Sequence, residues 1–288
     1  AKGLRLTAGL RVDIPVFIDK PSPNPLLESE YGLDTQDVPS GQLLWSPRVG
    51  FNYDVNQQGK YQIRGGVGIF TGRIPFVWVA NQYTNSGATL ATLDIRANRN
   101  GVMKLYPDGD RILEYYWADQ LGVDVNSPAV KAKIEQELKN IPTSEVNLMS
   151  PTFKMPQMLR ANIAFDAKLP YGIVATVEGI YTKTINEINY ENINLTYPTE
   201  KVTGDGRPRH TTSLANNKFQ NILLINNTNK GYQYSLTGSL QKQWKQGLIA
   251  SIAYNYGQSR DVNSGTNTTA LSGWEFNPTP GYSNDQFL

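Results

Sequence analysis

Asp108 and Asp110, in the stretch YPDGD, have the spacing that opens an oxygen-ligand loop for calcium. No further carboxylate follows where such a loop closes, so the stretch reads as a turn, with a Ca²⁺ site as the lesser alternative. Glu135 and Glu137 lie two residues apart on an expected helix and point different ways, which is wrong for an acid–base pair. His210 is the only histidine, and its turn-rich surroundings, GDGRPRH, read as a surface loop. HTTS and NSG offer hydroxyls with no base beside them. RGGVGIFTG (64–72) has the glycines of a phosphate loop but alternates as a strand, so its glycines read as small residues on a crowded face or at a bend. The absence of cysteine excludes disulfides and thiolate metal sites. The residues with chemical potential therefore point away from catalysis; neither an enzyme nor a bound cofactor or metal is expected.

What must position the remaining polar residues is a set of strands. The chain has 288 residues and a net charge of +2, which gives no reason to expect nucleic acid. Its greasiest stretches, IPFVWVA (74–80) and LIASIAY (248–254), fall far short of the ~18 apolar residues of a membrane helix. Seven segments instead alternate with period two. In LRLTAGLRVDIPVF, Leu4, Leu6, Ala8, Leu10 and Val12 share one face. In RVGFNYDV and YQIRGGVGIF, Val49, Phe51, Tyr53, Tyr61, Ile63 and Val67 oppose Arg48, Asn52, Gln62 and Arg64. MLRANIAFDAKL sets Leu159, Ile163 and Phe165 against Arg160, Asn162 and Asp166, and IVATVEGIYT sets Val177 and Tyr181 against Thr176 and Glu178. YQYSLTGSLQKQW and LIASIAYNYG complete the set, with Tyr234, Leu236, Leu240, Trp244, Ala250, Ile252, Tyr254 and Tyr256 opposing Ser, Thr, Asn and Gln.

The second face is mostly Gly, Ser, Thr, Asn and Gln with a few charges of both signs. That suits a crowded aqueous lumen better than the outside of a soluble sandwich. The connections alternate as well. NQQGK, PYG and KQG are short turns, whereas about thirty residues, then residues 74–157, 184–230 and 260–288, form long loops. Antiparallel neighbours put every short turn on one side and every long loop on the other, as in outer-membrane barrels. Aromatics on the apolar face fall near both ends. Tyr61, Tyr171 and Trp244 mark the expected periplasmic girdle, and Tyr181, Tyr234, Tyr254 and Tyr256 the opposite one. Ten residues between Tyr234 and Trp244 span about 25 Å of membrane at the usual tilt. Arg48, Arg64, Arg160, Asp166 and Glu178 are then candidate lumen residues that contact a plug. Trp78, Tyr83, Tyr115, Tyr116 and Trp117 are candidate ligand contacts in the long loops, because aromatics bury area at low entropic cost. SPAVKAKIEQELKN (127–140) reads as a short helix with Ser127 as N-cap and Pro128 following it. NLT, NNT and NTT match glycosylation acceptors, which carry no meaning in a bacterium.

Three stretches carry a family resemblance: SPRVGFNYDVNQQGKYQIRGGVGIFTGRIPFVWVANQYTNSG (46–87), PQMLRANIAFDAKLPYGIVATVEGIYTKTINEINYENINL (156–195) and GYQYSLTGSLQKQWKQGLIASIAYNYGQSRDVNSG (231–265). They resemble the barrel of Oar-like TonB-dependent receptors of the Bacteroidetes type. The resemblance implies a 22-stranded barrel in the outer membrane of a Gram-negative bacterium. It further implies a plug domain, energy from the TonB complex through an N-terminal region, an imported ligand of unknown identity and, in many members, a carboxypeptidase regulatory-like domain. Plug, TonB box and closing C-terminal strand are missing, so residues 1–288 are expected to be an internal part of such a barrel domain. About seven strands cannot close a barrel of that class. The rivals are a non-transporting outer-membrane barrel that adheres or scaffolds, and a soluble β-rich binding domain.

Overall fold

The computed structural model describes residues 3–88, 143–196, 214–263 and 267–275, with four short strands and isolated positions between them. In chain order the strands are β1 (Leu4–Asp13), β2 (Leu44–Asp54), β3 (Tyr61–Thr71), β4 (Ile95–Ala97), β5 (Met103–Leu105), β6 (Thr143–Met149) and β7 (Gln157–Leu169). They continue with β8 (Ile173–Asn192), β9 (Glu200–Lys201), β10 (Pro208–Arg209), β11 (Phe219–Thr228), β12 (Tyr232–Gln243) and β13 (Ile249–Arg260). Helices α1 (Pro25–Tyr31), α2 (Phe76–Thr84) and α3 (Ala270–Glu275) lie in the long connections.

Seven strands form an antiparallel meander in the order β1-β2-β3-β7-β8-β12-β13. Its register carries the two faces intact from edge to edge. Thr7, Gly50, Gly66, Asn162, Ile180, Ser235 and Gly257 form one row. The neighbouring row, on the other face, is Leu6, Phe51, Gly65, Ile163, Gly179, Leu236 and Tyr256. A slip of one residue at any strand would have mixed the rows. The apolar row is open to its surroundings: Leu6 is 68% exposed, Ile163 60% and Leu236 54%. At Gly65 a Cβ would stand 2.6 Å from the Asn162 carbonyl and 3.0 Å from the Phe51 ring, so only glycine allows this approach.

The three short connections close hairpins on one end of the meander. Pro170–Gly172 turns β7 into β8 with Tyr171 and Gly172 both left-handed, at φ 64° and 72°. Gly247, at φ 91°, does the same between β12 and β13. At the other end β8 runs on past the meander to Asn192. β11 prolongs β12 along it without a slip, since Thr228 faces Glu187 and Tyr232 faces Lys183. Gly231, at φ 111°, marks the break between the two. β6 then adds to β11 in parallel.

The buried core lies here, outside the meander. On one side, Trp78, Val79, Met149, Phe153, Ile188, Tyr190, Leu223 and Ile225 pack together; on the other, Leu27, Val146, Leu148, Phe219 and Ile222. Within the stretches paired in the meander, Ala164, Ala167 and the outermost Leu44 are the buried apolar residues. A sheet whose strands expose Leu and Ile while its loops own the core is the inverse of a soluble sandwich.

The structure corrects several boundaries. Strand β2 begins at Leu44 and not at Arg48, and β8 extends to Asn192 where a loop from 184 was expected. β11 and α2 fall inside expected loops. β11 carries ILLI, four apolar residues in a row that are largely buried on both faces, and period-two scoring finds only half-buried strands. The expected helix 127–140 lies outside the described residues apart from Pro128, as do Asp108, Asp110, Glu135, Glu137 and His210.

Candidate functional site

The polar face of the meander brings together most of the expected lumen residues. Arg64 on β3 donates from Nε to Asp166 Oδ2 on β7 (2.9 Å) and from Nη1 to Glu178 Oε1 on β8 (3.4 Å). Thr176 donates to the second Asp166 oxygen at 2.7 Å, and Asn162 reaches Glu178 at 3.5 Å. Adjacent strands and matched register make this network, and its side chains are half-buried, so its contribution is orientation more than stability. Arg48 takes a different partner, standing 4.4 Å above the Phe70 ring. Arg48 and Arg160 flank a basin of about 740 Å³ whose floor includes Gly9, Gly50, Gly66 and Gly68. Gly9 and Gly50 have open space or ordinary contact where a Cβ would stand, so the small residues leave the lumen side unfilled.

The apolar face carries the aromatics. Tyr61 stacks on Phe165 at 6.1 Å with Lys60 over its ring, Tyr171 projects from its turn at 87% exposure, and Lys242 lies 4.8 Å above Trp244; all three belong to the short-turn end. At the long-loop end Tyr181 pairs with Tyr234, whose ring lies 6.3 Å from Tyr232 and 6.4 Å from Tyr256. Tyr254 lies two residues before Tyr256 on the same face. Trp45 and Tyr232 share these positions and were missed. Trp45 fell outside a strand begun at Arg48, although Trp45, Pro47 and Val49 already alternate.

Beyond the long-loop end the connections fold into a cap clamped by side-chain amides. Asn194 donates to the carbonyls of Phe219 (2.6 Å) and Asn216 (3.0 Å) and accepts from the Tyr31 hydroxyl (2.6 Å). Gln82 on α2 donates to the carbonyls of Thr35 and Asp37, and Asn81 to that of Thr268. One helix is thereby tied to two other loops. Trp78 was expected to touch ligand; it is 4% exposed, packs edge-on against Tyr190 at 5.4 Å and donates from Nε1 to the Asn267 carbonyl at 2.7 Å. Its place is in the cap core. Tyr83 donates to the Asp19 carbonyl, and burial beside Asp19 pushes its phenol up. Tyr83 borders a largely apolar cavity of about 720 Å³ between α2, the 14–19 loop and the lumen-face residues Arg11, Asp13 and Leu44. Tyr115, Tyr116 and Trp117 lie outside the described residues.

Cap carboxylates depart from ordinary behaviour in both directions. Lys218 and Asn216 hydrogen-bond Glu30 and hold it below the usual range, which ties α1 to the entry of β11. Burial raises Glu187, with Asp261 adding to the rise and the Ile188 amide opposing it. The folded cap therefore binds this proton more tightly than the unfolded chain. Its destabilising share is full above the folded pKa and fades as pH falls through that value toward the unfolded one. Glu187→Gln is expected to stabilise the cap at pH 7.5 and flatten its pH dependence. Hydrogen exchange of β8 and β11 amides across that range measures it.

Among the described residues no group of three His, Asp or Glu side chains is placed to hold a metal. The arrangement is a membrane-spanning antiparallel sheet with one face for lipid, one for a wet lumen, and a folded outer cap. The chain belongs to a family described as outer membrane beta barrel domain, whose model matches residues 16–287. It resides in the outer membrane of a Gram-negative bacterium. No curated protein matches the sequence. Among solved structures, the siderophore receptor PirA of Pseudomonas aeruginosa aligns at 13% identity and TM-score 0.40, over 91% of this chain and 32% of that one. PirA of Acinetobacter baumannii aligns at 14% and 0.44, over 91% and 26%. The outer membrane transporter YddB of Escherichia coli aligns at 12% and 0.36, over 82% and 22%. The chain thus spans about a quarter to a third of the PirA receptors.

Proposed function

We propose that this chain is part of the barrel of an energised ligand importer, an Oar-like TonB-dependent receptor of the Bacteroidetes type. The cap captures a ligand, the polar face lines its path, and a plug domain held against that face gates it under the pull of TonB. The protein works by binding and movement, and no covalent chemistry is assigned to it. The observation that carries this reading is the unfilled polar face. Seven strands present Gly, Ser, Thr and Asn beside a basin of about 740 Å³, with the strongest charges already paired in Arg64–Asp166–Glu178. Narrow barrels fill their lumen with their own side chains, whereas a face this small-sided leaves room for a separate body. The apolar cavity beside Tyr83 and Arg11 is a concave surface at the long-loop end.

The test uses the full-length protein in a planar bilayer. The intact protein is expected to be closed, deletion of the plug-coding segment to open a large pore, and the intact protein to bind the purified periplasmic domain of TonB. A reading frame without a plug segment, or no TonB binding, leaves the barrel that adheres or scaffolds.

A further inference from the structure

The cavity of about 720 Å³ beside Tyr83 has the size of a small-molecule site. The 14–19 loop supplies Ile14, Val16 and Ile18 to its lining, and α2 supplies Phe76, Val79 and Ala80. Val16 is 71% exposed and Phe76 68%, so both walls present uncovered apolar surface. Arg11, Asp13 and Leu44 border the cavity too, which places it on the lumen side of the sheet. Lipid meets the other face, and a further strand of the barrel would meet the sheet at its edge. Four charged side chains line the cavity: Arg11, Asp13, Asp19 and Arg73. Arg11 donates to Asp13 from Nε at 3.0 Å and from Nη2 at 2.6 Å, so these two satisfy each other. Among the described residues, the Asp19 carboxylate and the Arg73 guanidinium have no hydrogen-bond or ion-pair partner. They are carried at the two ends of α2. Arg73 lies just before its first residue, Phe76, whereas the Asp19 carbonyl accepts from the Tyr83 hydroxyl in its last turn. The helix rises about 10 Å between Phe76 and Tyr83.

We propose that this cavity binds a short apolar peptide with free ends, its carboxylate on Arg73 and its ammonium on Asp19. Three extended residues span about 10 Å, which matches the separation of the two charges along α2. Apolar side chains cover the walls formed by Val16, Ile18 and Phe76. An apolar acid or an apolar amine alone would leave one charge of the lining unmatched, and a sugar would leave both walls uncovered. The proposal rests on the importer reading for the onward path of the peptide, while its capture depends on the cavity alone.

The full-length protein is reconstituted in phosphatidylcholine nanodiscs without TonB, and binding of trileucine is measured by titration calorimetry against empty nanodiscs. Trileucine is expected to bind saturably, and triglycine about 100-fold more weakly. Amidating the carboxylate of trileucine should weaken it about fivefold, and acetylating its amine by the same factor. Arg73→Gln should bind the free and amidated peptides alike and still reject the acetylated one; Asp19→Asn should do the reverse. Asp19→Asn keeps the backbone carbonyl that holds Tyr83, so the wall stays in place. Should either variant lack the heat-modifiable band of a folded barrel, the blocked peptides on the wild type decide alone. No saturable binding, as walls covered by another part of the protein would give, overturns the proposal. So do blocked ends without effect, or decanoate binding as tightly as trileucine. A protein that ignores trileucine yet is closed in a bilayer and binds TonB loses the peptide and keeps the importer reading.

Discussion

An arginine at Ile163 is expected to cost the full-length barrel about 2–4 kcal/mol, while an arginine at Asn162, one residue away, should cost less than about 1 kcal/mol. Ile163 lies in the middle of β7, 60% exposed, in the row that runs from Leu6 to Tyr256 on the apolar face. A guanidinium there meets hydrocarbon and has no acceptor within its row. Asn162 points into the lumen, where its amide already reaches Glu178 at 3.5 Å, so a cation in its place meets a carboxylate and water. Reversible urea unfolding of the two variants in phospholipid bilayers gives both numbers. Equal costs would remove the assignment of the faces. Ala250, on the same face, is a poorer probe. It pairs with Lys242 at the short-turn end, where an arginine costs only about 0–1 kcal/mol.

The faces were legible because a half-lipid, half-water sheet writes period two into every strand, and the short turns announce themselves by glycine. All seven segments found by parity are strands of one meander, in chain order, with each short connection a hairpin. Arg64, Asp166 and Glu178 could be placed on one face from the sequence. Their contact could not, because it depends on the register between strands, which Gln62–Asp166 and Ala164–Glu178 pairing sets. The cap was illegible for a different reason. Its strands are buried on both sides, so β11 loses alternation, and its order rests on amide-to-carbonyl bonds between residues as distant as Gln82 and Thr35. Asparagine and glutamine in a long loop look the same whether they face water or clamp a helix. Trp78 illustrates the ambiguity. Aromatic residues are what a binding loop needs and equally what a loop with its own core needs, and only burial separates the two.

Truncating Trp78 is expected to cost the cap about 3–5 kcal/mol and the meander nothing. The indole is 4% exposed against Tyr190, Ile188 and the α3 segment, and its Nε1 holds the Asn267 carbonyl, so Trp78→Ala removes packing from three connections at once. The meander shares none of this core below Leu44, and its hairpins close at the opposite end. Hydrogen exchange of the full-length protein should therefore show faster opening in α2, in the outer half of β8 and in β11. The amides of β3, β7 and β12 should stay protected and the unboiled protein should keep its folded migration. Trp78→Phe should fall between, retaining most of the buried area and losing one hydrogen bond, about 1 kcal/mol. A residue that merely touched ligand would give the opposite pattern, with unchanged exchange in the cap and a loss confined to binding. Separable opening of cap and barrel follows from where the apolar side chains are. The loops own a core of their own, so what happens at the outer mouth can change shape without disturbing the wall beneath it.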